Sequence, residues 1–127
     1  MKKDFDTWNK IKKSVHGGEN KLYIERDIWW CNLGLNVGFE QDGSGKSYER
    51  PVVVIRGFSR QVCLVAPLTT SPKKNKYYFK LGKVIGDKSS SAIISQLRLI
   101  DTKRLFRKVG ILGVMDKSRC IFHTLTL

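Results

Sequence analysis

Residues 51–68 read PVVVIRGFSRQVCLVAPL, two apolar runs that a short polar stretch separates. Valine and isoleucine make up most of the first run, and such β-branched residues favour a pleated strand. Pro51 stands at the first position of that run, where a strand tolerates a residue that lacks an N–H group. The intervening Gly57-Phe58-Ser59-Arg60 has the length of a tight turn, so this stretch predicts an antiparallel β-hairpin.

The segments around this hairpin contain further short strand-like runs. Strands are predicted at residues 27–33, 77–81, 91–95 and 108–112. Residues 34–49 contain four glycines and are typical of a loop, while Asp101 and Asp116 are each placed to begin a short helix. Short strands with close turns predict a mainly β protein with short helices (an α+β class), arranged as a small closed β-barrel rather than as a βαβ sheet.

The N-terminal segment has the spacing of a helix. Phe5, Trp8, Ile11 and Val15 recur at intervals of three or four residues, and Asp4 is a suitable N-cap. The apolar stripe can serve as an amphipathic arm for RNA or a membrane, or it can pack on the rest of the chain, and packing is the favoured interpretation. We therefore predict a helical extension over residues 1–24 and a barrel domain over residues 25–127.

The net charge of +13 is concentrated in one part of the chain. Residues 1–50 carry 9 basic and 8 acidic side chains, whereas residues 51–127 carry 15 basic and 3 acidic ones. A domain with this imbalance attracts polyanions, which explains the excess better than solubility alone. No apolar run approaches the ~18 residues of a membrane span, and the first residues lack the apolar core of a signal peptide. A cytoplasmic location is therefore expected.

Several kinds of site are not predicted. Cys31, Cys63 and Cys120 are far apart, and the first two lie in apolar runs that are typical of buried free thiols. His16 and His123 are isolated, so the sequence predicts neither a zinc site nor a Ser-His-Asp arrangement, and no cofactor is expected.

The segment Gly43-Ser44-Gly45-Lys46-Ser47 is close to a phosphate-binding P-loop, but it does not complete the motif. GxxxxGK[ST] requires a glycine at position 40, where this chain has Glu40. A strand also follows, where a P-loop continues into a helix. We interpret the segment as a flexible loop.

Basic residues alternate with aromatic ones in the second half of the chain. Lysine and arginine bind phosphates, and aromatic rings stack on splayed bases, so this mixture favours single-stranded nucleic acid. Strand packing is the alternative explanation for the aromatic residues. The residues concerned are Lys73, Lys74, Lys76, Tyr77, Tyr78, Arg98, Lys103, Arg104, Arg107 and Lys108.

Five short segments occur in a recognisable order. They are Asp27-Ile28-Trp29, Val37-Gly38-Phe39-Glu40-Gln41, Arg50-Pro51-Val52, Pro67-Leu68-Thr69 and Gln96-Leu97-Arg98-Leu99-Ile100-Asp101. Each is weak alone, but five in order are specific. The chain resembles, over about residues 25–112, the MazF/PemK (Kid) family of toxins from type II toxin–antitoxin systems.

This resemblance implies a fold and an activity. Members of the family have an SH3-like β-barrel of the MazF/Kid/CcdB type with short helices, and they form homodimers. They are metal-independent endoribonucleases that cut single-stranded RNA, often mRNA, at short sequences. The products carry a 2′,3′-cyclic phosphate and a 5′-OH. The implied partners are thus RNA, a second copy and an acidic, partly disordered antitoxin that covers the RNA groove, with no membrane.

The resemblance also implies roles for individual residues. Arg50 matches the catalytic arginine, and a guanidinium suits a phosphate that gains charge because it offers a fixed charge and several donors. Thr69 matches the hydroxyl residue, a role that Thr70 and Ser71 can share. Simple alternatives remain, since Arg50 can pair with Glu49 or Glu40 and Thr69 can cap a strand end.

The rest of the implied site lies in two segments. Glu40 can accept a proton or orient Arg50, and Gln41 can contact RNA. Gln96 and Arg98 are expected to line the groove. Some members carry an aspartate directly before that glutamine, proposed as the general base, but this chain has Ser95 there. Glu40 is therefore our candidate base.

Two other functions are compatible with the same fold. One is a gyrase poison of the CcdB type, whose activity depends on a tryptophan in a C-terminal tail, whereas Trp8, Trp29 and Trp30 all lie near the start of this chain. The other is an RNA-binding barrel without catalytic activity, which the serine at position 95 would allow.

Overall fold

The computed structural model describes residues 2–38, 41–45, 48–72 and 76–112. Within these ranges the chain forms one α-helix, seven β-strands and two 3-10 turns, Ile94–Gln96 and Thr102–Arg104. The elements are α1 (Phe5–His16), β1 (Asp27–Asn32), β2 (Glu49–Gly57), β3 (Val62–Thr69), β4 (Tyr78–Ile85), β5 (Lys88–Ile93), β6 (Arg98–Asp101) and β7 (Leu105–Ile111). The mainly β class and the N-terminal helix are confirmed.

The predicted hairpin is present at the centre of the sheet. β2 pairs antiparallel with β3, with Val53 opposite Ala66. Successive residues of β2 contribute to different clusters, Val52 and Val54 to one and Val53 and Ile55 to the other. Because successive side chains of a strand point to opposite faces, both faces of β2 are covered, which explains its uninterrupted apolar sequence.

The sheet curls into a half-barrel. The strand order is β4-β5-β3-β2-β1-β7, and β6 pairs with β3 beside this path. β3 holds the two parts together, because its residues Val62 to Val65 pair with β6 while Leu68 and Thr69 pair with β5. Spacing alone predicted a closed barrel, but within the described ranges β4 and β7 lie at the two ends of the order without pairing.

Some predicted elements differ from the observed ones. β4 and β5 are longer than predicted and form a hairpin through a turn in which Gly86 has φ +62°. β6 was not predicted, because Ile100 is the one buried residue in this four-residue strand. The helix predicted at Asp101 is a single 3-10 turn, whose Lys103 N–H donates to the Asp101 carboxylate at 2.8 Å. The helix predicted at Asp116 lies outside the described residues.

The helix α1 packs on the loop that follows β1. Asp4 caps it as predicted, accepting from the Thr7 N–H at 3.0 Å. Trp8 is buried against Gly34, whose φ is +80°, while Phe5 of the same stripe is half exposed. The Trp8 ring also meets Tyr48 edge-on at 5.5 Å between centroids. Packing is thus confirmed, with Trp8 as its main anchor. No helix in the described ranges is long and apolar enough to cross a bilayer.

We predict that Gly34→Ala destabilises the protein more than Gly86→Ala does. Both glycines have positive φ, but a Cβ at position 34 would lie 2.2 Å from the Trp8 ring, whereas nothing lies within 4 Å of one at position 86. The clash should lower the free energy of unfolding by about 1–3 kcal/mol beyond the backbone strain that both variants share. Urea unfolding of the two variants measures this difference, and equal losses would show that Trp8 does not fill that space.

We also predict that Cys31 and Cys63 do not react in the folded protein. Both side chains are fully buried, and burial raises the pKa of each thiol to about 12. The thiolate is the reactive form, so neither residue should be alkylated at pH 8. Cys120→Ser removes the third thiol and makes the count unambiguous. Iodoacetamide labelling should require denaturant, and rapid native labelling would contradict the burial of these two residues.

Candidate active site

A groove of about 520 Å³ lies where β2 begins and β3 ends. Val52 of β2 pairs with Pro67 of β3, so the residues further out, Arg50 and Thr69, stand at the same end of the hairpin. The antiparallel register therefore brings together two residues that are 19 positions apart in the sequence. The lining residues are Trp30, Ser44, Glu49, Arg50, Pro51, Leu68, Thr69, Thr70, Ser71, Ile85 and Ser90.

The Arg50 guanidinium is held by two backbone carbonyls. Its Nε donates to the Asp42 oxygen at 2.8 Å and its Nη1 donates to the Leu68 oxygen at 3.0 Å. Partial burial lowers the pKa of Arg50, while Asp42 and Tyr78 act in the opposite direction. An arginine stays protonated despite such a shift, so the groove contains a fixed positive charge.

Arg50 forms no salt bridge with any carboxylate in the described ranges. Glu49, which the sequence offered as a partner, lines the same groove without pairing with the arginine. Glu40, the other partner considered, lies outside the described residues. Within the described ranges, carbonyl oxygens therefore orient the guanidinium, and unlike a carboxylate they do not neutralise its charge.

Thr69 serves as a local cap and also faces the groove. Its Oγ1 accepts from the Ser71 N–H at 3.1 Å, which is the strand-end role considered from the sequence. This bond uses an oxygen lone pair and leaves the hydroxyl hydrogen as a donor. Thr70 is exposed beside it on the groove wall.

A second, smaller cavity of about 190 Å³ contains the glutamines and the arginine that the resemblance implies. The Gln41 N–H donates to Gln96 Oε1 at 3.3 Å, and Arg98 Nη1 donates to the Leu33 oxygen at 3.1 Å. Gln41, Gln96 and Arg98 share this wall with Leu33, Asn36, Pro67 and Leu97.

Gln41 connects the two cavities. With its side-chain amide oriented so that the oxygen faces the arginine, that oxygen accepts from Arg50 Nη2 at 2.8 Å and from Nε at 3.2 Å. The structure therefore places the two groups of implied residues in one continuous arrangement.

Other implied residues lie elsewhere. Lys76 is exposed just before β4, with its Nζ 5.1 Å from the Tyr77 ring centre, and it lines neither cavity. Ser95 is also exposed. Glu40, Lys73 and Lys74 lie outside the described residues.

Sequence reasoning missed part of the groove wall. Trp30 reaches it because β1 pairs with β2, where Trp30 stands opposite Pro51. The Arg107 guanidinium stacks on that ring at 5.6 Å, which adds a cation from β7 next to the groove. Ser90 belongs to the hairpin whose extent was not predicted. The signal that could have indicated Trp30 is the period of two in a strand, which places Trp29 and Trp30 on opposite faces of β1.

Comparison with known proteins identifies the family of the chain. A sequence profile of the PemK-like, MazF-like toxins of type II toxin–antitoxin systems matches residues 25–119. The chain belongs to this family. No curated protein sequence matches it. The matched region contains all the residues of both cavities, whereas α1 precedes it.

Proposed function

We propose that this toxin-family protein is an endoribonuclease that cleaves single-stranded RNA without a metal ion. The observation that carries the proposal is the Arg50 guanidinium, held by two carbonyls in a groove beside the Thr69 hydroxyl. A preorganised cation next to a hydroxyl donor is suited to a phosphate whose charge increases during reaction. The family membership supports the same activity.

In the proposed reaction the RNA supplies its own nucleophile. The 2′-oxygen attacks the adjacent phosphorus and loses its proton to a base, while the bond to the 5′-oxygen breaks and that oxygen gains a proton. The products are a 2′,3′-cyclic phosphate and a 5′-OH. Arg50 stabilises the charge on the non-bridging oxygens, and the Thr69 hydroxyl donates to one of them.

The general base is a carboxylate in this proposal. Glu40, which matches the glutamate of the family's loop segment, is our candidate, because Ser95 replaces the aspartate proposed as the base in some members. Glu49 is the alternative, since it is the one carboxylate among the described residues that line the larger groove. A carboxylate placed close to Arg50 can take the 2′-OH proton as the phosphate is approached.

The surroundings of the groove suit an extended RNA strand. Gln41, Gln96 and Arg98 offer amide and guanidinium groups to the next nucleotide, and Thr70 offers a hydroxyl on the wall of the larger groove. We propose further that the loop containing Lys73, Lys74 and Lys76 binds the RNA backbone.

The same proposal extends to the organisation of the protein. Residues 25–127 form the catalytic barrel, and residues 1–24 are an extension. The protein works in the cytoplasm as a homodimer, and an acidic antitoxin opposes it.

Two rival functions are separated by one assay. Purified protein is incubated with long single-stranded RNA in EDTA, and the new ends are characterised. Discrete 5′-OH ends support the nuclease, whereas binding without new ends supports a non-catalytic RNA-binding barrel. A gyrase poison would leave the RNA intact and would inhibit gyrase instead.

We predict that Arg50→Lys loses most of the cleavage rate and that Arg50→Ala loses about 10²–10³-fold or more. Removal of one preorganised donor from an anionic transition state typically costs that much, and lysine keeps the charge but not the planar fork. Both variants should stay folded, with a lower melting temperature because two bonds to carbonyls are lost. Single-turnover cleavage and thermal melting measure the two effects.

The matched control is Arg60→Ala, which removes an exposed arginine from the opposite end of the hairpin. It should cleave as fast as the unmodified protein. Cleavage by Arg50→Ala within a few-fold of the control would make Arg50 structural, and catalysis would then rest on Thr69, Glu40 and Arg98.

We predict that RNA affinity falls steeply with salt. Each phosphate contact on a single strand contributes about −0.7 to the slope of log K against log[salt], so four contacts give a slope near −3. Replacing Lys73, Lys74 and Lys76 by glutamine should make the slope less negative by about 2. Replacing the exposed Lys10, Lys12 and Lys13 of α1 is the control and should leave it unchanged. A flat response in the unmodified protein would contradict RNA binding by the basic half.

A further inference from the structure

Lys3 reaches from the N-terminal segment into the loop that carries part of the candidate site. Its side chain is 8% exposed, although lysine is among the residues least often buried. Its Nζ lies 2.9 Å from Asp42 Oδ2 and 3.1 Å from Oδ1. The same ammonium donates to the carbonyls of Asn36 and Gly38. The Lys3 ammonium therefore binds three residues of the loop, Asn36, Gly38 and Asp42.

Asp42 joins this ammonium to Arg50 through two different groups. Its carboxylate binds Lys3 and also accepts from the Asn36 N–H at 2.6 Å. Its backbone oxygen accepts from Arg50 Nε at 2.8 Å. Lys3 is thus connected to Arg50 through a single residue: Lys3 forms a salt bridge with the Asp42 carboxylate, and Arg50 donates a hydrogen bond to the Asp42 backbone oxygen.

We propose that Lys3 is a positioning residue for Arg50, because it occupies the Asp42 carboxylate and thereby keeps the Arg50 guanidinium on carbonyl oxygens and available to the RNA phosphate. The inference rests on the proposed function for its consequence in catalysis. The effect of Lys3 on the conformation of the loop and of the Arg50 side chain does not depend on that function.

Competition between two cations explains the effect. A carboxylate and a guanidinium form strong, often bidentate pairs, and the Asp42 carboxylate belongs to the residue whose carbonyl already binds Arg50. Without Lys3 this carboxylate lacks its cation and can turn toward Arg50. A paired guanidinium would be partly neutralised and withdrawn from the phosphate. The loop would also lose the ammonium that ties Asn36 and Gly38 to Asp42.

The attachment of α1 does not depend on Lys3. Trp8 anchors the helix through Gly34, Tyr48 and the Arg104 guanidinium, which lies 5.9 Å from the Trp8 ring centre. Removal of Lys3 should therefore alter the loop while α1 remains docked. Residue 3 also lies outside the region that the family profile matches, so the device is a property of this chain's own extension.

The test compares Lys3→Met with Lys2→Met. Both variants lose one positive charge at adjacent positions, but Lys2 is exposed. Lys3→Met should lower the single-turnover cleavage rate by up to about 100-fold, as small misplacements of catalytic groups do. Its affinity for RNA carrying a 2′-O-methyl group on every ribose should change much less. Lys2→Met should behave as the unmodified protein does.

Two further variants separate positioning from a general loss of structure. Lys3→Arg keeps a cation beside Asp42 and should retain most of the rate. Asp42→Asn in the Lys3→Met background removes the competing charge and should recover part of the lost rate. If Lys3 only stabilised the fold, the second change would give no recovery, and the inference would be overturned.

A readout without RNA keeps the inference separate from the proposed function. The ¹⁵N resonance of Arg50 Nε–H, which donates to the Asp42 oxygen, should shift and exchange faster in Lys3→Met but not in Lys2→Met. If the unmodified protein cleaves no RNA, the proposed function fails while this resonance still tests the loop. If Lys3→Met matches Lys2→Met in both rate and resonance, Lys3 does not position Arg50.

Discussion

The burial of β2 on both faces is the constraint on which the rest of the structure depends. Val52 and Val54 pack into one cluster, and Val53 and Ile55 pack into the other. A strand covered on both sides has no freedom to slip, because a shift of one residue would exchange the two clusters. Its pairing with β3 is therefore fixed, and with it the place where Arg50 meets the end of β3.

Among the described residues, the Arg50 guanidinium is held in place without a salt bridge to a carboxylate. Backbone carbonyls from Asp42 and Leu68 orient the guanidinium, while the carboxylate that belongs to the same loop is engaged by Lys3. A carboxylate in their place would hold the arginine as firmly but would neutralise it. In the proposed reaction such carbonyls suit the cation, because Arg50 need not exchange partners when the RNA phosphate arrives.

The N-terminal helix packs against the loop between β1 and β2, which carries part of the candidate site. Trp8 fills the space over Gly34, directly after β1, and Tyr48 meets the same ring immediately before β2. The loop between these strands, which carries Gln41 and Asp42, is thus held at both ends by one side chain. The largely buried side chain of Lys3 and the buried Trp8 therefore both contact this loop.

Local sequence determined the elements whose signals are local: the cap of α1 at Asp4, the β2–β3 hairpin, and the basic excess after residue 50. The five family segments also indicated candidate site residues, because this chain has the same residue types in the same order. These residues are Arg50, Thr69, Gln41, Gln96 and Arg98. The tertiary structure alone decided that β3 joins two parts of the sheet, that Trp30 and Glu49 line the groove, and that Lys3 binds Asp42. Those facts depend on pairings between distant segments, and such pairings follow from the packing of the whole sheet rather than from any pattern within a short stretch of residues.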